Sequence, residues 1–165
     1  MSVLGHVDFE VDDRDAYLRI AAAQRRTAEN GDENGADDTN LPSMAEKKFD
    51  AFAKNEEFIL AVTENGFGKR TSAYEYRITG RGGKGIGNID VTKRNGPVVA
   101  AFPVDKTDQI MLVTNAGQLI RCPIDDIRIA GRMTQGVTLF RVDDEERVVS
   151  VARLRDVGDE DTDEN

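Results

Sequence analysis

The sequence predicts an all-β fold built from propeller-type blades, two of them complete, with a helical insertion before them and a disordered acidic tail after. Three observations carry this. VTENG at 62–66 returns as VTNAG at 113–117, GRGGKGI at 80–86 as GRMTQGV at 131–137, and VVAAF at 98–102 as VVSVA at 148–152. The first two offsets are 51 residues and the third is 50, in unbroken order. A fixed period of this size marks stacked supersecondary units.

The elements follow in order. Met1–Leu4 aligns loosely with VARL at 151–154, so 1–9 reads as the end of a preceding unit and the chain as a C-terminal piece of something longer. Residues 10–57 read as an insertion that packs its apolar face on the blades, the alternative being a partner-docking element. Its first helix covers 12–29, with Asp12 as cap, Asp13 and Asp15 in the first turn, and Tyr17, Ile20, Ala21 and Gln24 along one side. Residues 30–42 lack periodicity and read as a flexible loop. A second helix covers 44–56, with Ser43 and Glu46 as a capping box and Ala45, Phe49, Phe52 and Ala53 as its apolar face.

The first blade, 58–105, starts with FILAVT and turns at Asn65-Gly66, residue types that accept the positive φ of a tight hairpin. GFGKRT, YEYRI, KGIGNIDV and PVVAAF are its further predicted strands. The second blade, 106–154, runs QIMLVT, GQLIR, IDDIRI, QGVTLFRV and ERVVSVARL. Short strands with few helix signals fit a blade better than a helical repeat. Residues 155–165 form the acidic tail.

The formal net charge of −9 argues at first sight against a nucleic-acid binder. Its distribution reverses that. Residues 1–57 hold 7 basic and 14 acidic side chains, and residues 155–165 hold 1 and 6. The repeats, 58–154, hold 14 basic and 11 acidic side chains and are the only positive part. Local charge governs attraction to a polyanion. The single cysteine, Cys122, allows no intrachain disulfide, which suits a reducing compartment. No segment has the apolar length of a membrane helix and none has the pattern of a signal peptide, so a soluble cytoplasmic protein is expected.

GRGGKGI is the most informative local motif. Its glycines permit an irregular, closely approachable backbone, and Arg81 and Lys84 place charge on it. A nucleotide-binding P-loop is excluded: Gly85, not Ser or Thr, follows Lys84, and a β-prone run rather than a helix comes next. The alternative is a Gly-rich turn with incidental charges.

This segment resembles a blade copy of the box written QRRGGKG in the C-terminal wheel of DNA gyrase A. The adjoining GFGKRTSAYEY, the run DQIMLVTNAGQLIRCPIDDIRIAGRMTQGV and the acidic tail are similar to the last two blades of that family. The resemblance departs at Thr79-Gly80-Arg81, which stands where the box has Gln-Arg-Arg, and GRMTQGV is more degenerate still. Gln24-Arg25-Arg26 is followed by Thr27 in a predicted helix and is taken as coincidence. The resemblance implies a six-bladed β-pinwheel whose rim binds and bends double-stranded DNA. It implies partnership with the rest of gyrase A and with gyrase B, and a nucleoid location. It also implies that this piece carries no catalytic residue, metal or cofactor of its own, ATP and Mg2+ being used by the whole type II topoisomerase. Arg70, Arg81, Lys84, Lys93, Arg94, Arg121 and Arg132, in predicted turns or strand ends of the positive region, are the expected DNA contacts. The related wheel of topoisomerase IV and a protein-binding β-repeat scaffold are the alternatives.

Other chemistries are weaker. His6 is the only histidine and reads as a solvated loop residue, and Cys122 as a packing residue. Asp125-Asp126 and Asp143-Asp144-Glu145-Glu146 read as solvated turns rather than a metal site. Tyr74 and Tyr76 alternate and read as strand packing. The strand-cleaving tyrosine of the resembled family belongs to a region upstream of the wheel.

Deleting residues 155–165 is expected to raise affinity for DNA, because a tethered polyanion competes for the same cations. The gain should be largest at low salt. A titration in which the shortened chain binds no more tightly at low salt contradicts this.

Overall fold

The computed structural model describes residues 4–5, 9–30, 41–79 and 81–155. His6, most of the loop expected at 30–42, Gly80 and the residues from 156 of the expected tail lie outside the described residues, as do residues 1–3 of the expected preceding unit. The chain divides into two compact units, a helical one over Leu4–Glu56 and a β-rich one from Glu57 onward.

In the helical unit, α1 spans Val11–Asn30 and α2 spans Glu46–Asn55. Asp12 and Asp13 lie in the first turn of α1, where carboxylates oppose the helix dipole, so Asp12 is inside the helix rather than its cap. The Ser43–Glu46 capping box does not form. The helix starts at Glu46 itself, leaving Ser43 outside, and Ala45 at the N-cap makes no side-chain bond. The two helices meet through aromatic rings. Tyr17 and Phe52 are buried and stack at 5.1 Å, and Phe9 stacks on Phe52 at 3.7 Å. The Tyr17 hydroxyl donates to Glu56 Oε2 at 2.8 Å, and Arg25 donates to the same oxygen at 2.7 Å. Ala45, Ala53 and Gln24 are exposed, so the apolar faces are narrower than their periodicity suggests.

In the β-rich unit, β1 (Phe58–Thr63) and β2 (Phe67–Ser72) form a hairpin, and β3 (Val98–Val104) pairs with the other side of β1. The next repeat gives β4 (Gln109–Thr114), β5 (Leu119–Pro123), β6 (Val137–Thr138) and β7 (Val148–Leu154). Two antiparallel sheets result, ordered β3-β1-β2-β6 and β5-β4-β7. The repeat holds at the level of register. Phe58 faces Ser72 and Val104, while Gln109 faces Pro123 and Leu154. Even the irregularity recurs, between Val62 and Thr63 in one repeat and between Val113 and Thr114 in the other.

Two predicted strands of the first repeat and one of the second are not strands. YEYRI gives way to a 3-10 turn at Ala73–Glu75, with the Ser72 hydroxyl accepting from the Tyr74 N–H. IDDIRI gives the matching turn at Ile124–Asp126, followed by a single bridge at Ile129. KGIGNIDV pairs with nothing as a ladder. Gly85 adopts positive φ within it and Gly82 just before it, which interrupts an extended run. The fourth strand of the first sheet comes instead from the second repeat: β6 pairs Phe67 with Thr138 and Gly68 with Val137. Adjacent repeats thus interlock through an exchanged strand.

The core gathers Phe58, Leu60 and Val62 from β1, Ile110 and Leu112 from β4, and Val104, Ile124, Ile127 and Val148. Alternate residues of β1 and β4 face it, as the pleat requires. β4 shows the plain alternation of a strand with one buried face, whereas five of the six positions of β1 are buried.

The two hairpin glycines separate backbone strain from packing. Gly66 and Gly117 both have positive φ, 76° and 84°. A Cβ on Gly66 would lie 2.2 Å from the Phe140 carbonyl oxygen, whereas one on Gly117 meets nothing within 4 Å. Gly117→Ala is expected to cost about 1–2 kcal/mol, the left-handed backbone penalty alone. Gly66→Ala is expected to cost about 2 kcal/mol more, because the Phe140 backbone must move. Equal losses in urea melts would show that the exchanged strand does not pack tightly on the first hairpin.

Candidate nucleic-acid interface

The expected cations fall into two groups, and the difference is set by what surrounds β2. Arg70 lies in the middle of this strand and is only 5% exposed. Its backbone N–H donates to the Arg128 carbonyl at 2.9 Å, and its carbonyl accepts from Ala130 N–H at 2.8 Å. Its Nε donates to the Ile127 carbonyl at 2.6 Å, and its terminal nitrogens reach the Asp125 carbonyl at 3.1 Å and carboxylate at 3.4 Å. A guanidinium committed this way joins two repeats and offers nothing to phosphate. Arg70 is therefore corrected from surface contact to internal tie.

Lys69, which is not among the cations expected from the sequence, is the companion tie. It is fully buried, and its Nζ donates to the carbonyls of Gly131 and Arg132, the latter at 2.7 Å, and to Thr134 Oγ1 at 3.2 Å. Burial pushes the ammonium down to about 8, against the pull of Glu75. The sequence carried half of this signal: alternation along GFGKRT aims one of the two adjacent residues at a covered face, and the cover over the other comes from a distant segment.

Arg132 sits in the turn that Lys69 holds. Its backbone N–H donates to Glu75 Oε2 at 2.8 Å, its guanidinium donates to the Gly87 carbonyl at 2.8 Å, and it lies over the Tyr76 ring at 5.8 Å. It is partly exposed and largely occupied. The Tyr76 hydroxyl donates to Asn88 Oδ1, so this ring closes a loop rather than lining a strand. Burial, reinforced by Glu75, pushes its phenol up to about 12.

Arg81, Lys84, Lys93 and Arg94 are exposed and have no carboxylate partner among the described residues. The Lys93–Arg94 turn is held rigidly from below. Asn95, fully buried, accepts from Thr92 N–H at 2.7 Å and donates to the carbonyls of Asp90 at 2.8 Å and Gln135 at 3.1 Å. Asn65 Nδ2 donates to the Arg94 carbonyl at 3.0 Å, and the Arg94 guanidinium rests over the Phe67 ring at 5.0 Å. These bonds use backbone and amide groups, which leaves both charges for solvent. Arg81 shares a surface pocket with Arg77, Gly82 and Gly83. Arg77 is exposed too, and it escapes a motif-based reading because it precedes the motif. Arg121 is exposed on β5, apart from the turns, and donates to Gln109 Oε1.

Elsewhere the acidic clusters divide. Asp125 and Asp126 are exposed. Glu146 is 6% exposed and accepts from the Thr114 hydroxyl and from Gln118 Nε2, so it braces the second hairpin instead of forming a solvated turn. Cys122 packs at the edge of the core, and burial pushes its thiol up, with Asp126 adding to the effect. Among the described residues no three His, Cys, Asp or Glu side chains gather to hold a metal ion. No described helix is long and apolar enough to cross a membrane.

The Lys69 tie yields a pH prediction. Its folded value of about 8 lies below the ordinary 10.5, so unfolding takes up a proton between the two. Wild-type stability attributable to this group therefore rises with pH through that window. Lys69→Met removes the dependence. The stability advantage of wild type over the variant should grow from about pH 7 to about pH 10. A difference that stays flat or shrinks contradicts a desolvated ammonium at this position.

Comparison with known proteins agrees with the paired repeats. The family model described as "DNA gyrase C-terminal domain, beta-propeller" matches residues 57–105 and 108–155, once per repeat. DNA gyrase A of Rickettsia bellii is 47% identical over 160 residues, covering 97% of this chain and 18% of that protein. DNA gyrase A of Granulibacter bethesdensis is 50% identical over 163 residues, covering 92% of this chain and 17% of its own length. The Haemophilus influenzae counterpart is 50% identical over 109 residues, covering 66% of this chain and 12% of its own. The chain thus spans under a fifth of the length of these relatives. Among solved structures, a DNA gyrase A C-terminal domain matches with TM-score 0.56 and 28% identity, over 62% of this chain and 35% of the other. A topoisomerase IV C-terminal domain matches with TM-score 0.54 and 23% identity, over 59% and 30%, which speaks to the fold alone. With both repeats matched and the fold shared, the chain belongs to the DNA gyrase C-terminal domain family of β-propellers.

Proposed function

We propose that the repeats form the DNA-binding and DNA-wrapping surface of a gyrase A protein. In that role they support ATP-dependent negative supercoiling by a type II topoisomerase whose chemistry resides in other parts. The observation that carries this reading is a set of exposed cations with no carboxylate partner among the described residues: Arg81, Lys84, Lys93 and Arg94, with Arg77 beside them. Buried and half-buried amides hold the turn that bears Lys93 and Arg94. A rigid turn presents charge without the entropy cost of ordering it on binding. Phosphate contacts of this kind position a duplex and carry little sequence information. No recognition helix is needed for them. Bending a short duplex smoothly costs on the order of 1–6 kcal/mol, so several such contacts must act together.

In this reading the partners are double-stranded DNA, the rest of gyrase A and gyrase B, at the nucleoid in the cytoplasm. ATP and Mg2+ serve the assembled enzyme rather than this piece. Arg132 contributes field more than direct contact, and Arg121 stands apart on β5.

Binding is expected to be sequence-tolerant and to weaken with salt, each phosphate contact adding about 0.9 to the log–log slope. Arg81→Ala with Lys84→Ala should weaken binding and lower that slope by up to about 1.8. Lys47→Ala with Lys54→Ala, on the exposed side of α2, should do far less. Arg25 is unsuitable as a control because it pairs with the buried Glu56 carboxylate at 2.7 Å. Equal losses from the two double variants, or affinity indifferent to salt, would overturn the assignment of the turns.

A further inference from the structure

The turn that bears Lys93 and Arg94 holds its two cations differently. Lys93 is exposed, with no aromatic ring beneath it among the described residues. Arg94 is exposed as well, yet both of its ends are placed. Its carbonyl accepts from Asn65 Nδ2 at 3.0 Å, and its guanidinium lies 5.0 Å from the centroid of the Phe67 ring. A planar guanidinium over an aromatic face is held by attraction to the ring, while the N–H groups along its edge stay open. The ring is itself anchored. Phe67 is the half-buried first residue of β2 and pairs with Thr138 of β6, so its platform is shared by the two repeats.

The second repeat lacks both members of this pair. Gln118 stands 51 positions after Phe67 and Asp144 stands 50 after Arg94, the offsets that relate the hairpins and the closing strands. The backbone is equivalent at both turns: Glu64 N–H donates to the Pro97 carbonyl at 2.9 Å, and Asn115 N–H to the Arg147 carbonyl at 3.0 Å. In the place of the ring, Gln118 Nε2 donates to the buried Glu146 carboxylate at 3.3 Å. In the place of the arginine, Asp144 exposes a carboxylate. Ring and guanidinium thus change together between repeats that share a backbone, which is what a working pair requires.

Resting on the DNA-binding reading above, we propose that Phe67 is a positioning residue for Arg94, and that Arg94, rather than Lys93, is the ordered phosphate contact of this turn. A guanidinium already held in one plane loses little freedom when a phosphate takes two of its N–H groups. A lysine with no such support must be ordered on binding, and its ammonium offers a point charge without the planar fork. The Phe67 ring therefore adds to affinity without touching DNA. Because the ring sits where β2 meets β6, the phosphate that Arg94 grips lies at the seam between the repeats. Arg94→Lys keeps the charge but gives up both the fork and the stack.

The test is a double-mutant cycle in the 165-residue chain, with binding to a short duplex of mixed sequence followed by fluorescence anisotropy at several salt concentrations. Phe67→Leu and Arg94→Lys should each weaken binding about two- to five-fold. The salt slope should stay the same, because neither changes the number of charges. Combined, they should bind no more weakly than the weaker single variant, since both remove one contact. Phe67→Tyr keeps the ring and should bind as wild type does. Lys93→Ala should cost less than Arg94→Ala. Thermal melts without DNA check that Phe67→Leu keeps its fold, and the Arg94 and Lys93 variants decide the matter without it if it does not. A ring that serves packing alone predicts losses that multiply in the double variant. Multiplying losses, Arg94→Lys that binds as wild type, or Lys93→Ala that costs as much as Arg94→Ala would each overturn the proposal and leave the DNA-binding reading standing. Wild type without salt-sensitive affinity would overturn both.

Discussion

Everything in the repeats depends on the burial of two cationic side chains under the neighbouring repeat. Lys69 and Arg70 are adjacent on β2, and each is satisfied by carbonyls of the segment 125–134 rather than by water. A buried charge without such partners would cost several kcal/mol. The contact is therefore close to all-or-none: if the covering segment lifts, two charged groups lose their acceptors together. This gives the fold a reason to keep the exchanged strand β6, which by itself pairs only two residues on each side.

That constraint decides which charges are left for a partner. The covering segment reaches back along the loop of the first repeat. Thr134 and Gln135 accept from Asp90 and Asn95, and Arg132 meets Glu75 and Gly87. The long loop 76–97, which has almost no regular structure among its described residues, is fixed by these bonds. Its glycines and polar backbone would otherwise sample many conformations. Once fixed, it holds Lys93 and Arg94 outward on a turn that Asn65 and Asn95 brace from inside. Internal amides do the holding, so the charges need not.

The repeat, the hairpin turns and the strand cores were legible because they are local patterns: Asn65-Gly66, the alternation in QIMLVT, the matched offsets. What escaped were features made by two segments far apart in sequence. Nothing in YEYRI announces that Ser72 caps a 3-10 turn there, or that the strand completing the first sheet arrives from residues 137–138. Arg70 was expected at the surface because it lies near the end of the predicted strand GFGKRT in the positive region. It is internal only because Ile127 and Asp125 lie over it. The capping box at Ser43 failed for a smaller reason, a helix that begins two residues later than expected. The turns bearing Arg81, Lys84, Lys93 and Arg94 are exposed, as is Arg77 just before the motif.

Hydrogen exchange of the chain with and without duplex DNA tests most directly the claim that covered cations hold the fold while those on the braced turns meet DNA. Slow exchange in β2 under both conditions is predicted, with DNA-dependent, salt-sensitive protection over residues 77–96. Fast exchange in β2, or DNA-dependent protection confined to α1 and α2, would contradict it.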